Sequence, residues 1–232
     1  MRQVVQNFRS GDLRVKDVPA PAARPGQLLI ANVRSLISAG TEKSTVNVAK
    51  KGLIGKALER PEMARKVIDK ALKDGLAETA QMVLQRLDTP VALGYSCAGH
   101  VVGVGSGVNG FAVGDRVACA GQNYASHAEF VAVPVNLCSR IPDGVDFDAA
   151  AYVTLGAIAM QGVRQAEPRL GELVVVIGLG LLGQLAVQML KANGCRVLAA
   201  DVAGDKLAMA RQFGADDAVL IGELVEATRV MS

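Results

Sequence analysis

A glycine-rich segment, Gly178-Leu179-Gly180-Leu181-Leu182-Gly183, follows directly after the continuous apolar run Leu173–Ile177. A short apolar run rich in β-branched residues predicts a strand that is buried on both faces of a parallel sheet. The residues after the glycines, 184–192, predict a helix that ends near Gly194. A strand, a glycine turn and a helix in this order indicate a turn that binds a diphosphate against the helix N terminus.

Each glycine of this motif has a separate predicted task. Gly178 allows the tight turn, Gly180 lets a diphosphate approach the backbone, and Gly183 lets the helix pack closely on the strand. Leu182 lies in the same turn and is included among the predicted cofactor-binding residues. The helix N terminus adds free N–H groups and the positive end of the helix dipole.

A second apolar run, residues 196–200, ends at Asp201, which lies 23 residues after Gly178. At that position a carboxylate accepts hydrogen bonds from the ribose hydroxyls of the adenosine half of a dinucleotide. Its negative charge disfavours the 2′-phosphate of NADP, so the sequence predicts NAD as the cofactor. Lys206 is a further candidate for a contact with the ribose, and an exposed helix lysine is the alternative.

The composition limits the classes of protein and of partner. The chain has 232 residues, of which 50% are hydrophobic and 20% charged, which predicts a globular protein and excludes a disordered or fibrous one. Aromatic residues make up only 3%, Trp is absent and the net charge is +3, so we expect no nucleic-acid partner. No apolar run reaches the roughly 20 residues of a membrane helix, and no signal-peptide core follows Met1. We therefore expect a cytoplasmic location and no membrane partner.

The pattern along the chain predicts an α/β protein of two domains. Residues 1–150 form the first domain, which is rich in short strands and glycine turns typical of a compact, curved sheet. Within it, residues 43–89 carry apolar residues at helical spacing and a net positive charge. This basic helical insertion either packs on the domain as a solvated pair of helices or forms a docking surface for an acidic partner. Residues 151–232 form the second domain, which contains the glycine motif.

The cysteines and histidines show no spacing that is typical of a metal site. The four cysteines lie singly along the sequence, which predicts buried thiols in a reducing compartment; they are Cys97, Cys119, Cys138 and Cys195. His100 and His127 lie in segments that predict strands, and we expect ordinary core or surface side chains at both positions.

Further segments of the sequence resemble the medium-chain dehydrogenase/reductase family, the group of alcohol and threonine dehydrogenases. Gly105-Ser106-Gly107-Val108, Phe111 and Val113-Gly114-Asp115-Arg116-Val117 are similar to the family's "GSGV..F..GDRV" signature. The resemblance implies a GroES-like β-barrel catalytic domain followed by a Rossmann domain. It also implies hydride transfer between a nicotinamide and a small alcohol or carbonyl compound. A homo-oligomer is compatible with this resemblance.

The chain departs from this family at every catalytic zinc ligand. Zinc-dependent members carry Cys-Gly-Thr-Asp where this chain has Ala39-Gly40-Thr41-Glu42, and Gly-His-Glu where it has Gly94-Tyr95-Ser96. Their third ligand corresponds to Thr154. A methyl group and neutral hydroxyls do not replace thiolate, imidazole or carboxylate ligands, and the four-cysteine structural zinc loop is missing as well. We therefore expect no metal in this protein.

Without zinc, the alkoxide that develops during hydride transfer needs a hydrogen-bond donor or an acid. Thr41 corresponds to a hydroxyl of the family's proton relay, and Tyr95 replaces a zinc ligand. Both are candidate catalytic residues. The alternative for Tyr95 is a ring that only fills the space of a lost metal site.

The second domain contains only part of a Rossmann fold. Residues 173–221 predict one βαβαβ unit, which is the half that binds adenosine, and its third strand leaves an open sheet edge. We therefore expect this chain to be the N-terminal part of a longer polypeptide, similar to zinc-lacking relatives described as bidomain oxidoreductases. The predicted function is a zinc-independent NAD(H) oxidoreductase. The alternatives are a non-catalytic nucleotide-binding module and a zinc-free quinone or enoyl reductase.

Overall fold

The computed structural model describes residues 1–51, 55, 58 and 61–232. The chain divides into two compact units, Met1–Val153 and Thr154–Ser232. The part of the predicted basic insertion that comprises residues 52–54, 56, 57, 59 and 60 lies outside the described residues.

The first unit is built on a curled antiparallel sheet with the strand order β7-β3-β5-β6-β8, and a smaller sheet with the order β2-β1-β4. The strands are β1 Arg2–Gln6, β2 Leu13–Asp17, β3 Gln27–Ser35, β4 Val91–Ala92, β5 Ser96–Val104, β6 Arg116–Ala120, β7 Phe130–Pro134 and β8 Cys138–Arg140. Alternate residues of β3 and β7 point inward, so that Leu28, Ile30, Val131 and Val133 are buried in one core cluster. This alternation is what a sheet with one packed face requires.

The curl of the sheet has a local cause in β3 and β5. Their register shifts between Leu29 and Ile30 and again between Asn32 and Arg34, and such irregularities bend a strand and increase its twist. Gly99 of β5 lies so close to β3 that a Cβ atom there would collide with the carbonyl oxygen of Ala31. Glycine is therefore required at this position, because the backbone of β3 leaves no room for a side chain.

Helices occupy most of the predicted insertion. The helices of the first unit are α1 Ala39–Lys50, α2 Pro61–Asp74, α3 Leu76–Asp88 and α4 Phe147–Ala150. Proline suits the first helical position of α2 because it has no N–H to leave unpaired and its φ angle is already helical.

The second unit is a parallel sheet with the strand order β11-β10-β9, and helices connect its strands. Helix α5, Val153–Ala166, begins at the last residue of the first unit. The elements that follow are β9 Leu173–Ile177, α6 Leu181–Ala192, β10 Arg196–Asp201, α7 Gly204–Gln212, β11 Asp217–Leu220 and α8 Leu224–Met231. The predicted α/β class, with a GroES-like and a Rossmann-like part, is confirmed. Among the described helices, none is both long enough and apolar enough to span a bilayer.

The prediction that residues 173–177 form a strand buried on both faces is wrong. Leu173 to Val176 of β9 are only half-buried, and Ile177 is 65% exposed. The reason is the strand order, which places β9 at an edge of the described sheet and β10 between its two neighbours. Five consecutive residues of β10, Val197–Asp201, are buried. The strand that is buried on both faces is therefore β10.

The close approach of β3 and β5 predicts different effects for two glycine substitutions. We expect Gly99→Ala to lower the free energy of unfolding by about 1–3 kcal/mol, because the added methyl group forces the strands apart. Gly162→Ala, in an exposed position of α5 with open space around it, is the matched control and should stabilise the protein by about 0.5–1 kcal/mol. Urea unfolding followed by circular dichroism measures both, and equal stabilities would contradict this account.

Candidate nucleotide-binding site

The glycine turn begins where β9 ends. Gly178 has a φ angle of +89°, a left-handed conformation that favours glycine. Its N–H donates to the carbonyl oxygen of Ala200 on β10, at 2.8 Å. The turn is thereby attached to the neighbouring strand before the chain enters α6.

The other two motif glycines have different surroundings. A Cβ atom at Gly183 would collide with the carbonyl oxygen of Gly178, whereas a Cβ atom at Gly180 would meet no atom within 4 Å. Gly183 is therefore required by the close packing of the first turn of α6 on the glycine loop. The open space at Gly180 leaves room for a ligand to approach the backbone.

Helix α6 begins at Leu181, three residues earlier than the sequence predicted, so that its first turn includes Leu182 and Gly183. The first N–H groups of a helix have no acceptor within the helix, and Gly180 at the N-cap has no side chain to supply one. The backbone donors of this turn, the open space at Gly180 and the positive end of the helix dipole fit a diphosphate group.

Asp201, at the end of β10, is tightly connected to the glycine turn. Its side chain is only 5% exposed, and it accepts hydrogen bonds from the N–H of Leu179 at 2.6 Å and from the N–H of Ala203 at 2.9 Å. These two backbone donors, together with the ammonium group of Lys206, hold the pKa of the Asp201 carboxyl below its usual range. Asp201 is therefore an ionised acceptor beside the turn.

Lys206, in the first turn of α7, pairs with Asp201. Its Nζ atom lies 3.4 Å from Oδ1 and 3.3 Å from Oδ2 of Asp201, and its side chain is 41% exposed. These long distances and the exposure describe a weaker contact than the two backbone hydrogen bonds. The sequence prediction named the ribose as the partner of Lys206, and this carboxylate partner was not foreseen.

Gln184 also connects the glycine turn with the start of α7. The sequence analysis did not identify this residue. Its Nε2 atom donates to the carbonyl oxygens of Leu179, at 3.4 Å, and Lys206, at 3.1 Å. Gln184 is buried, and its Oε1 atom has no hydrogen-bond partner in the described structure. The sequence did contain a signal for this role of Gln184. It is a polar residue directly after the third glycine, on a helix face that is otherwise apolar.

In the first unit, Ala39 and Tyr95 match two of the family's zinc ligands, and Thr41 is the candidate relay hydroxyl. Ala39 is exposed at the start of α1, Thr41 is exposed in its first turn, and Tyr95 is half-buried just before β5. An open cavity of about 620 Å³ extends along α1 from Ala39 past Lys43 and Asn47. Among the described residues, no group of three or more His, Cys, Asp or Glu side chains is arranged to hold a metal ion.

The side chain of His127 lies in the core, which is one of the two environments expected from the sequence. Its side chain is 9% exposed, and its Nε2 atom lies 2.9 Å from Oε2 of Glu42, which is 11% exposed. Its Nδ1 atom lies 2.8 Å from Oγ of Ser35. The other histidine, His100, is half-buried and packs edge-on against Phe147. The imidazole of His127 is thus largely buried and has two polar partners.

Three of the four cysteines, which are separate in sequence, lie side by side on neighbouring strands. Cys97 pairs in register with Cys119, and Cys119 with Cys138. The Sγ atoms of Cys119 and Cys138 are 3.8 Å apart, and all the cysteines are free thiols. The neighbouring Cys119 thiol and burial raise the pKa of Cys138, so this thiol carries little of the reactive thiolate form.

Two family models match the chain. Residues 67–143 match the alcohol dehydrogenase GroES-like domain, and residues 182–231 match the family described as zinc-binding dehydrogenase. An alcohol dehydrogenase of Geobacillus stearothermophilus is 29% identical over 210 residues, which are 76% of this chain and 62% of that protein. D-guloside 3-dehydrogenase of Escherichia coli is 36% identical over 125 residues, which are 53% of this chain and 35% of that protein. The chain thus spans less than two thirds of the length of these relatives.

Solved structures show the same architecture. The quinone oxidoreductase of Coxiella burnetii superposes with a TM-score of 0.71 at 25% identity, over 98% of this chain and 65% of that one. The quinone oxidoreductase of Thermus thermophilus, solved also in complex with NADPH, gives a TM-score of 0.69 at 25% identity, over 99% of this chain and 63% of that one.

A GroES-like sheet and a Rossmann-like βαβαβ unit are the two parts that this chain shares with the matched family models and with these solved structures. With both family models matched and these structural neighbours, the chain belongs to the medium-chain dehydrogenase/reductase family.

The depressed pKa of Asp201 predicts how acid affects the fold. A carboxylate whose pKa is lower in the folded chain than in the unfolded chain, where it is about 3.9, contributes its full stability above that value. The contribution is lost as the pH falls through the folded pKa. We expect the free energy of unfolding to fall more steeply below about pH 4 for the wild-type protein than for Asp201→Asn, which has no carboxyl group to protonate.

Urea unfolding at a series of pH values measures this difference. Asp205→Asn is the matched control, because Asp205 is an exposed carboxylate in the same part of α7. Its pH dependence should follow the wild type. Parallel curves for the wild type and Asp201→Asn would show that the hydrogen bonds to this carboxylate do not form.

Proposed function

We propose that this chain is the cofactor-binding and catalytic part of a zinc-independent, NAD(H)-dependent oxidoreductase that transfers hydride between a nicotinamide and an alcohol or carbonyl compound. The observation that carries the proposal is the site formed by the glycine turn and Asp201. The turn offers backbone donors and open space at Gly180, and a buried, ionised carboxylate is hydrogen-bonded to the same turn through Leu179. The relatives named above are dehydrogenases and reductases, which supports the reaction class.

The residues of the second unit have defined roles in this proposal. The N–H groups of Leu181, Leu182 and Gly183 bind the diphosphate of the cofactor, together with the positive end of α6. Asp201 accepts hydrogen bonds from the adenosine ribose. Both of its oxygens already accept a short backbone hydrogen bond, so the weakly bound Lys206 ammonium is the group that moves aside when ribose hydroxyls approach. When bound, the nicotinamide supplies or accepts the hydride.

The charge of Asp201 supports NAD over NADP. A 2′-phosphate at this position would meet a carboxylate that is nearly fully buried, and like charges at close range are strongly unfavourable in such surroundings. The Thermus thermophilus neighbour forms a complex with NADPH. Lys206, 3.3 Å from the Asp201 carboxylate, offsets only part of the negative charge, so NADP remains the weaker ligand in this proposal.

The side chains at the ligand positions support zinc independence. Ala39, Tyr95 and Thr154 supply a methyl group and two neutral hydroxyls, which are poor ligands for zinc. This chemistry disagrees with the name of the family model that matches residues 182–231. The proton for the substrate oxygen then comes from hydroxyl groups of the first unit, for which Thr41 and Tyr95 are the candidates proposed from the sequence.

A second candidate reaction is the reduction of quinones or enones. The quinone oxidoreductase of Coxiella burnetii has a similar fold, with a TM-score of 0.71, which favours this reaction as the alternative. A non-catalytic nucleotide-binding module is the remaining alternative. Binding of NADH without reduction of benzoquinone, diacetyl or benzaldehyde would favour the non-catalytic module over both enzymes.

Cofactor titrations test the central part of the proposal. We expect the protein to bind NADH, and Asp201→Ser to weaken NADH binding at least about tenfold because the ribose loses a charged acceptor, worth roughly 1.5–3 kcal/mol. The same variant should reduce the preference for NADH over NADPH, since the repulsion of the phosphate is removed. Isothermal titration calorimetry with both cofactors measures this, with Asp205→Asn as the control that leaves both affinities unchanged. A wild-type protein that binds neither cofactor would refute the proposed function.

The absence of zinc is tested by elemental analysis. Protein purified without chelators and dialysed against zinc-containing buffer should hold far less than one zinc per chain. The variant Ala39→Cys/Tyr95→His restores two of the family's ligand types and is the matched comparison, which should hold more zinc than the wild type. Stoichiometric zinc in the wild-type chain would contradict the proposal.

A further inference from the structure

Gln184 is a polar side chain on the buried face of α6. It is only 6% exposed and is buried together with Val187 and Leu190, which belong to the apolar core of the second unit. Its Oε1 atom has no hydrogen-bond partner in the described structure. A buried acceptor without a partner is unfavourable, and an apolar side chain of similar size would avoid that penalty. An amide group at this position therefore points to a function of its donor atom, Nε2.

The two acceptors of Gln184 fix the orientation of its amide group. Nε2 donates to the carbonyl oxygen of Leu179 at 3.4 Å and to the carbonyl oxygen of Lys206 at 3.1 Å. Carbonyl oxygens only accept hydrogen bonds, so Nε2 and not Oε1 faces them. Leu179 lies in the glycine turn, and Lys206 lies in the first turn of α7. The amide therefore joins the proposed diphosphate-binding segment to the segment beside the proposed ribose position.

The carboxylate of Asp201 makes a second link between the same two segments. Its Oδ2 atom accepts the N–H of Leu179, and its Oδ1 atom accepts the N–H of Ala203, the residue just before α7. In the proposed function, the same two oxygens also accept hydrogen bonds from ribose hydroxyls. Ribose hydroxyls then compete with the backbone N–H groups for these oxygens. A link that consisted of Asp201 alone would therefore weaken when a ligand binds.

The link through Gln184 does not use the atoms that the proposed ligand would contact. Gln184 is buried, whereas the open space for a ligand lies at Gly180. Its two hydrogen bonds end on backbone carbonyl oxygens, which a diphosphate cannot use because it has no proton to donate when ionised. Leu179 is thereby held at both of its polar backbone atoms, at N–H by Asp201 and at C=O by Gln184. The turn and the start of α7 can keep their spacing while Asp201 changes partners.

We propose that Gln184 is a positioning residue of the nucleotide site, which fixes the spacing between the diphosphate and ribose positions. It does not touch the ligand and acts through the backbone of Leu179 and Lys206. The proposal rests on the nucleotide binding proposed above. A ligand that spans both positions, such as NADH or ADP, depends on this spacing. Inorganic diphosphate and adenosine each occupy one position only, so their binding does not depend on it.

The substitution Gln184→Met tests this role, because methionine keeps an unbranched side chain of similar size and removes the amide. We expect the dissociation constants for NADH and ADP to rise about tenfold, which equals about 1.4 kcal/mol and is the usual net contribution of one hydrogen bond. The dissociation constants for inorganic diphosphate and adenosine should change by less than about twofold, since neither ligand spans the two positions. Calorimetry measures NADH and ADP, and NMR titration measures the two weaker ligands.

Two more variants separate this role from a structural one. Gln188→Met is the matched control, since Gln188 is exposed one turn later in α6 and donates to the carbonyl oxygen of Gln184 in the same helix, at 3.1 Å. It should leave all four affinities unchanged. Gln184→Leu is a second apolar replacement and should reproduce the effect of Gln184→Met. Both Gln184 variants lose two hydrogen bonds and also the unpaired acceptor, so their melting temperatures should stay within about 3 °C of the wild type.

Each outcome has a defined meaning. Unchanged NADH affinity in both Gln184 variants would overturn the positioning role and leave the proposed function standing. An equal loss of affinity for all four ligands, or loss of the fold in both variants, would show a structural role and would also overturn it. If the wild type binds NADH but neither of the small ligands at millimolar concentration, a tenfold loss of NADH affinity at an unchanged melting temperature supports the role, and any smaller loss overturns it. If the wild type does not bind NADH, the proposed function fails, and the positioning role fails with it.

Discussion

The hydrogen bond from the N–H of Leu179 to the carboxylate of Asp201, 2.6 Å long, is the interaction on which the candidate nucleotide site depends. It joins the glycine turn after β9 to the end of β10, so that the proposed diphosphate and ribose positions are directly connected. Gln184 strengthens this connection by donating to both Leu179 and Lys206. The turn can remain open to a ligand at Gly180 because its other contacts already hold it in place. In the proposed function, this preorganisation favours binding, since little ordering is left to occur when a ligand binds.

The features of the structure that could be predicted from the sequence are those that depend on residues close together in the chain. The order of strand, glycine turn and helix, the need for glycine at positions 178 and 183, and the carboxylate at position 201 all follow from residues within one βαβ unit. The half-exposed state of β9 was not predictable in the same way, because an apolar run does not reveal which strands lie beside it. Its strand order became visible only in the structure.

The partners of His127 show the opposite case. His127 is separated by 85 residues from Glu42 and by 92 from Ser35, and no motif connects them. A single histidine in an extended segment is compatible with many environments, so the sequence could not show that this side chain contacts a serine and a glutamate. The same holds for Cys97, Cys119 and Cys138, which only the strand register brings together. Long-range pairing of polar side chains is decided by the fold of the sheet, and the sequence around each residue contains little information about it.

The most direct test of the central claim is to follow the backbone amide signals of the protein by NMR during a titration with ADP-ribose, which contains the diphosphate and both riboses but no nicotinamide. The account predicts that the shifts concentrate in residues 178–183 and 201–206, with the amides of Gly180 and Leu181 moving furthest. Unchanged spectra at millimolar ADP-ribose, or shifts confined to other parts of the chain, would contradict it.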